Sequence, residues 1–259
     1  MRRIALAVGV ALALLAPRAG KADYYLRSPY EIDLGELEME LNGAPAFDRR
    51  PDSNGAQSYT LEIGTGLTSW WHSEIELAFD RDPGGGQPML VDQVVTENMI
   101  QLTEPGQEFA DFGFYFEYGQ SLTSGRHAGS NQVTFGPAIG MEIGRTTQLV
   151  NLFLTRELGP NQTSHGLDFS YAWQNRWNLW TPLSPAIEVY GDSGTVGRSP
   201  RFSQQQLLVG PVAVGALGLH DLGLGKAGKV KYELGWLFGA TQASAQGTLR
   251  WRLELEIPF

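Results

Sequence analysis

The chain contains no cysteine, so neither a disulfide framework nor a lipid-modified cysteine is available to it. Beyond its first residues it has no apolar run of 18 or more residues, which excludes a transmembrane helix there. Basic residues are few, 19 Lys and Arg against 28 Asp and Glu, and this balance excludes the basic footprint of a nucleic-acid-binding protein. Helical spacing of apolar residues is not sustained either, so the pattern favours β-structure.

The first residues have the pattern of a secretory signal peptide. Arg2 and Arg3 precede an apolar run at positions 4–16, and the small residues Gly20 and Ala22 bracket a cleavage site. The alternative, an uncleaved membrane anchor, would need about 20 apolar residues, and this run is shorter. We therefore predict a signal peptide over residues 1–22 and a mature domain over residues 23–259. Removing the four basic residues of the leader leaves 15 basic against 28 acidic residues, a formal charge of −13.

Apolar and polar residues alternate along most of the mature chain. In FGFYFEY, Phe112, Phe114 and Phe116 share one face, whereas Tyr115 and Glu117 share the other. A period of two is typical of β-strands with one apolar face. It predicts twelve strands in one domain, over residues 31–41, 57–67, 70–80, 91–102, 109–119, 131–143, 147–156, 165–178, 183–190, 204–217, 229–240 and 248–259.

The links between these strands are of two kinds. Long polar links such as NGAPAFDRRPDSNGAQ and SLTSGRHAGS alternate with short ones such as GRT and LWTPL. We therefore predict an all-β fold, a closed antiparallel transmembrane β-barrel of about twelve strands, with long outer loops and short periplasmic turns. A soluble β-sandwich is the alternative, since it would also show many alternating strands. Tryptophans at the ends of apolar faces, such as Trp173 and Trp177, favour the barrel because they resemble interfacial girdles.

The last strand, RWRLELEIPF, has one apolar and one ionic face. It resembles the C-terminal assembly signature of outer-membrane proteins, and Phe259, Ile257 and Leu255 match the alternating hydrophobic positions of that signature. This resemblance implies recognition by the barrel-assembly machinery and contact with outer-membrane lipid. Together with the leader, it implies the outer membrane of a Gram-negative bacterium, reached after cleavage of the signal peptide.

A narrower resemblance concerns residues 97–119, ENMIQLTEPGQEFADFGFYFEYG. This stretch is similar to uncharacterised proteobacterial outer-membrane proteins that are grouped under a MetA-type pathway of phenol degradation. The resemblance implies the location and the type of barrel. It transfers no catalytic residue.

Candidates for catalysis are weak. Of the four histidines, His127 lies in GRHAGSNQ near Ser130 and Asn131, which superficially offers a nucleophile and a base. Its Gly-rich loop favours a solvated histidine, because adjacency in sequence does not establish triad geometry. No pair of histidines has the spacing of a metal site. We therefore expect no enzyme, no catalytic residue, no metal and no cofactor.

Three kinds of function remain open: a channel or transporter for small solutes, a lipid-hydrolysing barrel enzyme, and a structural or adhesive barrel. The first is favoured because the inward faces are rich in charge and no catalytic set is visible. The solute itself is not identified, since lumen radius and inward-folded loops decide selectivity.

The inward charges predict a preference for cations. Carboxylates on predicted strands two, three, five and six form an acidic wall with no basic inward partner on those strands: Glu62, Glu74, Glu76, Asp111, Glu117 and Glu142. Such a wall in a confined pore concentrates cations. Where the last two strands meet the first, we expect a structural seam of opposite charges. In this lumen seam Lys229 and Lys231 face Glu254 and Glu256, while Arg250 and Arg252 face Glu38 and Glu40.

Overall fold

The computed structural model describes residue 24 and residues 26–30, 34–84, 86–225 and 227–259. The predicted signal peptide and residues 31–33 of the first predicted strand lie outside the described residues. No helix in this described part of the chain is long and apolar enough to cross a membrane.

The described chain forms one antiparallel sheet that closes on itself. Its thirteen strands are β1 Glu36–Gly43, β2 Ala46–Phe47, β3 Gln57–Thr68, β4 Trp71–Arg81, β5 Leu90–Gln101, β6 Asp111–Ser121, β7 Asn131–Ile143, β8 Thr146–Leu158, β9 Asp168–Trp177, β10 Ser184–Thr195, β11 Gln206–Gly218, β12 Lys229–Gly239 and β13 Gly247–Pro258. Each long strand pairs with the next long strand in sequence, and β1 pairs with β13 from Glu36↔Pro258 to Gly43↔Trp251. The predicted closed barrel of about twelve strands is therefore confirmed.

The additional strand, β2, was not predicted. It lies in the long link between β1 and β3 and pairs with the start of β13, through Ala46↔Thr248 and Phe47↔Gly247. Two short 3-10 helices, Gly125–His127 and Phe202–Gln204, lie in other links on the same side of the barrel. We call this side the loop end, and the opposite side, where Ser69 and Trp70 join β3 to β4, the turn end.

The links at the turn end are not uniformly short. Gly144 and Arg145 make a tight connection between β7 and β8. The links 102–110 and 219–228, however, are as long as several links of the loop end. The first is longer than predicted because β6 begins only at Asp111, whose carboxylate accepts a hydrogen bond from Gly106 N within the link.

The outer face of the barrel is apolar. Large hydrophobic side chains are exposed at alternate positions around the sheet, among them Met39, Leu41, Ile63, Ile75, Phe114, Phe116, Leu152, Ile187, Leu234, Trp236, Phe238, Leu253 and Ile257. The register places several of them side by side, as in Met39↔Ile63 and Met39↔Leu255. A continuous apolar exterior on a sheet without free edges is the surface that lipid requires.

Two strands share a Gly-Pro step within similar sequence, QVTFGPAIG at 132–140 and QLLVGPVAV at 206–214. At both steps the pairing with the following strand is interrupted: Val209↔Phe238 and Val212↔Gly235 are paired, and the positions between them are not. Proline has no N–H to donate to the neighbouring strand, and a carbonyl oxygen of that strand lies close to the glycine. A Cβ at Gly136 would overlap Leu152 O, and one at Gly210 would overlap Trp236 O.

We therefore expect Gly210→Ala to lower the free energy of unfolding by about 1 to 3 kcal/mol, because the added methyl group forces β11 and β12 apart. Urea unfolding in lipid vesicles, followed by tryptophan fluorescence, measures the change. Gly225→Ala is the control, since a Cβ there makes only ordinary contacts at 3.6 Å or more. Equal stability of the two variants would contradict the close approach at Gly210.

Candidate functional site: the barrel lumen

The lumen has an apolar half and a charged half. Strands β8 to β12 contribute a buried apolar cluster that contains Leu149, Ala172, Tyr190, Leu208 and Leu237. The remaining strands contribute most of the inward carboxylates. Alternate residues of each strand face away from lipid. At these inward positions a side chain can be apolar, or it can be charged where an opposite charge lies beside it.

The structure places several residues of the lumen seam in direct contact. Lys229 Nζ lies 2.5 Å from Glu256 Oε2, and Lys231 Nζ lies 2.9 Å from Glu254 Oε1. Arg252 Nη2 lies 2.5 Å from both Glu40 Oε2 and Glu254 Oε2. These pairs connect β12, β13 and β1, the strands that close the barrel.

The expected contact between Arg250 and Glu38 is wrong. Glu38 is opposite Glu256 in the β1–β13 register, six residues along β13 from Arg250. At about 3.3 Å per residue, that separation is roughly 20 Å, beyond the reach of an arginine side chain. Arg250 instead binds Glu233, and its Nε lies 3.4 Å from Glu188 Oε2.

The six residues of the acidic wall do not form one surface. Glu62 and Glu74 lie in the middle of the lumen, where one carboxylate oxygen of each and one of Glu97 lie within 4.8 Å of one another. Asp111 and Glu142 lie at the turn end. Glu142 is exposed and accepts hydrogen bonds from the side chains of Thr147 and Asn178.

The two remaining wall residues, Glu76 and Glu117, are buried in the lumen on β4 and β6. Glu117 accepts hydrogen bonds from Tyr115 at 2.9 Å and from Gln132 at 3.1 Å. The wall therefore consists of a central group of carboxylates with a separate pair at the turn end.

The acidic wall also has basic partners that the strand sequences did not reveal. Arg27, from the segment before β1, donates from Nη2 to Glu97 Oε1 at 2.6 Å, and its Nη1 lies 3.7 Å from Glu62 Oε2. His72 is buried in the lumen, with Nε2 3.1 Å from Glu74 Oε1 and 3.5 Å from Glu38 Oε2. The expectation that this wall has no compensation is therefore wrong.

Sequence reasoning missed several lumen residues. Glu97 lies on β5, where a bulge between β4 and β5 disturbs the alternation, so its inward direction was ambiguous. Glu188 alternates with apolar neighbours, and this signal alone would have placed it in the lumen. Alternation in KVKYELGWLF did place Glu233 on the face of Lys229 and Lys231, but it gave no partner for it. Arg27 offered no such signal, because the segment around it is not a strand.

Within the described residues, three groups of inward side chains have ligand atoms close enough for a metal ion: Glu38 with His72 and Glu74, Glu38 with Glu254 and Glu256, and Glu62 with Glu74 and Glu97. In each group a side chain of the protein already supplies positive charge or a proton donor: His72 to the first, Lys231 to the second and Arg27 to the third. These clusters are therefore explained as ion-pair networks.

At the loop end, an ion pair in the β1–β3 link forms hydrogen bonds with the β12–β13 link. Arg50 donates to both carboxylate oxygens of Asp48 and to the carbonyl of Ser244, while Gln246 N donates to Asp48 Oδ2 at 3.0 Å. The hydrogen bonds from Arg50 lower the pKa of Asp48 to about 2. This carboxylate is therefore charged across the physiological range and holds the β1–β3 and β12–β13 links together.

Comparisons with known proteins support the fold. No known family profile matches the chain, and no curated protein matches it in sequence. Among solved structures, the chain is similar to the KdgM porin in complex with disordered oligogalacturonate, with a TM-score of 0.51 and 8% identity, covering 86% of this chain and 99% of that one. The likeness shows that the two proteins share the barrel fold.

Two further solved structures are more distant. A bacterial polysaccharide outer-membrane secretin gives a TM-score of 0.43 at 8% identity, over 88% of this chain and 99% of that one. OccD1 (OprD) gives 0.39 at 11% identity, over 87% of this chain and 66% of that one.

Proposed function

We propose that the protein lies in the outer membrane of a Gram-negative bacterium and passes small solutes through its lumen, with a preference for cations. The apolar exterior of the closed barrel supports the location. The sequence similarity of residues 97–119 supports a relation to the barrels grouped under the MetA-type phenol pathway. No enzyme activity is proposed, since no residue role can be transferred from that group.

The excess of buried carboxylates supports the preference for cations. Among the described residues, eleven acidic side chains are buried, against two arginines and one histidine. The acidic ones are Glu38, Glu40, Glu62, Glu76, Asp92, Glu97, Asp111, Glu117, Glu188, Glu254 and Glu256. When the partly buried Glu74 and Glu233 and the cations Lys229, Lys231 and Arg252 are included, the net charge of the lumen side chains is still negative. A confined space with this charge attracts cations and repels anions.

Reversal potentials in planar bilayers under a salt gradient test this proposal. We expect the wild-type protein to select cations, and the triple variant Glu74→Gln, Glu76→Gln, Glu117→Gln to shift the reversal potential towards zero. The exposed Glu108→Gln on the turn-end link is the control and should leave it unchanged. Anion selectivity, or no shift in the triple variant, would refute cation preference.

Tight packing in part of the lumen favours a structural or adhesive barrel as the second candidate. Asn151, Ala138 and Leu237, on three different strands, are all 0% exposed, so water does not reach the middle of the lumen at these positions. Complete absence of conductance, in the wild type and in every lumen variant, would support this second function.

We further propose that Phe259 is recognised by the barrel-assembly machinery. Its side chain is exposed, while its N–H donates to Gly35 O at 2.8 Å, so the residue lies at the closing seam without filling the interior. Phe259→Lys should reduce the amount of folded barrel in the membrane, measured by heat-modifiable migration on a cold gel. Phe202→Lys, an equally apolar exposed residue in a loop-end link, is the control; equal yields would contradict the assembly role.

A further inference from the structure

The segment before β1 runs through the interior of the barrel. Near the loop end, Arg250 Nε donates to Tyr24 O at 2.8 Å. At the turn end, Tyr30 OH donates to Asp111 Oδ2 at 2.9 Å. Between these two contacts, Leu26, Arg27 and Ser28 are all buried. The described part of the segment therefore extends along the lumen axis from the loop side to the turn side.

An inward residue of β8, Asn151, binds the backbone of Arg27 at mid-height. Asn151 of β8 accepts from Arg27 N through Oδ1 at 2.8 Å, and its Nδ2 donates to Arg27 O at 2.8 Å. The side-chain amide thus satisfies both polar groups of one residue, as a neighbouring strand would. This contact is made by one side chain and is not a pairing of the sheet, so it can be broken without unpairing the barrel strands.

The side chains of the segment match the two halves of the lumen. Leu26 packs into the apolar cluster of β8 to β12. Arg27 points to the opposite wall, where Glu62 and Glu97 flank its guanidinium and the Tyr115 ring lies 5.2 Å from its Cζ. We call Glu62, Glu97 and Tyr115 the Arg27 site. Carboxylates beside an aromatic face form the surroundings that a planar guanidinium prefers.

We propose that residue 24 and residues 26–30 belong to a tethered plug, and that the Arg27 site binds a small guanidinium-bearing solute when the plug leaves. This inference rests on the proposed channel function and names its solute class. The guanidinium of Arg27 occupies the site in the position that the guanidinium of the solute would take, so the plug and the solute compete for it. An ammonium compound would bind the same carboxylates less well, because it lacks the planar fork and the stacking surface.

Planar-bilayer recordings of the full chain test the plug. Arg27→Ala removes the contacts to Glu62 and Glu97, so we expect a several-fold higher open probability than in the wild type. Arg126→Ala, which removes an exposed arginine from a loop-end 3-10 helix, should behave as the wild type. L-arginine should raise the open probability of the wild type more than L-lysine at the same ionic strength. It should have no such effect on Arg27→Ala.

A reversible lock provides a second measurement if Arg27→Ala folds poorly. A Cβ at Gly113 would lie 3.3 Å from Pro29 Cβ, close to the spacing of a disulfide. The nearest atom, Met99 Sδ at 2.8 Å, belongs to a flexible side chain that can move aside. Because the chain has no cysteine, Pro29→Cys with Gly113→Cys introduces a single possible bridge. We expect no openings when the pair is oxidised and wild-type openings after reduction.

The outcomes separate the plug from the proposed function. Equal conductance of the wild type, Arg27→Ala and the oxidised double variant would overturn the plug, whatever the ion selectivity. Equal responses to L-arginine and L-lysine would overturn the guanidinium site. Open channels in Arg27→Ala that select no cations would support the plug and refute the cation preference instead.

Discussion

Replacing Arg250 with alanine is expected to lower the free energy of unfolding by about 3 to 5 kcal/mol, the largest stability change among the variants considered. The Arg250 side chain is 2% exposed and lies against Glu188, which is fully buried, and Glu233. Removing the guanidinium leaves the fully buried carboxylate of Glu188 uncompensated beside the partly buried carboxylate of Glu233. Their desolvation and mutual repulsion then oppose folding.

The measurement is equilibrium unfolding in urea from lipid vesicles, compared with a matched rescue. Adding Glu188→Gln and Glu233→Gln to Arg250→Ala removes the uncompensated charges while keeping the side-chain volumes, so most of the lost stability should return. A loss that is unchanged by the two glutamines would show that packing of the Arg250 stem, and not charge compensation, stabilises this part of the lumen.

Replacing Leu234 with arginine is expected to destabilise the barrel by about 2 to 4 kcal/mol if position 234 lies near the bilayer midplane. Leu234 is 55% exposed on the outer face of β12, beside the exposed Trp236. An arginine there must enter hydrocarbon or extend to an interface, and both alternatives cost free energy.

The control for this prediction is the same substitution outside the strands. Leu224→Arg changes a residue that is 73% exposed in the turn-end link, where water is available, so its effect should be small. The same urea titration compares the two variants. A similar loss for both, or for neither, would contradict contact between Leu234 and lipid.

Alternation along the sequence determined the strands and their faces, because side-chain direction in a strand repeats every two residues and is a local property. The predicted strand 131–143 coincides with β7, and Tyr115 and Glu117 face the lumen as their positions in FGFYFEY required. The short β2 was missed, because its two residues are paired by a distant strand and have no period of their own.

The partners of the inward charges were decided only by the tertiary structure. Lys229 and Lys231 of β12 pair with glutamates of β13, the next strand in sequence. These contacts could therefore be predicted from the sequence. Arg250 reaches Glu188 across the lumen, and that distance depends on the stagger of the whole sheet. The path of residue 24 and residues 26–30 also depends on distant parts of the chain. This short irregular segment has no periodicity, and it lies in the lumen because Arg27 binds buried carboxylates while Leu26 packs against an apolar cluster. Those two surfaces exist only after the barrel has closed.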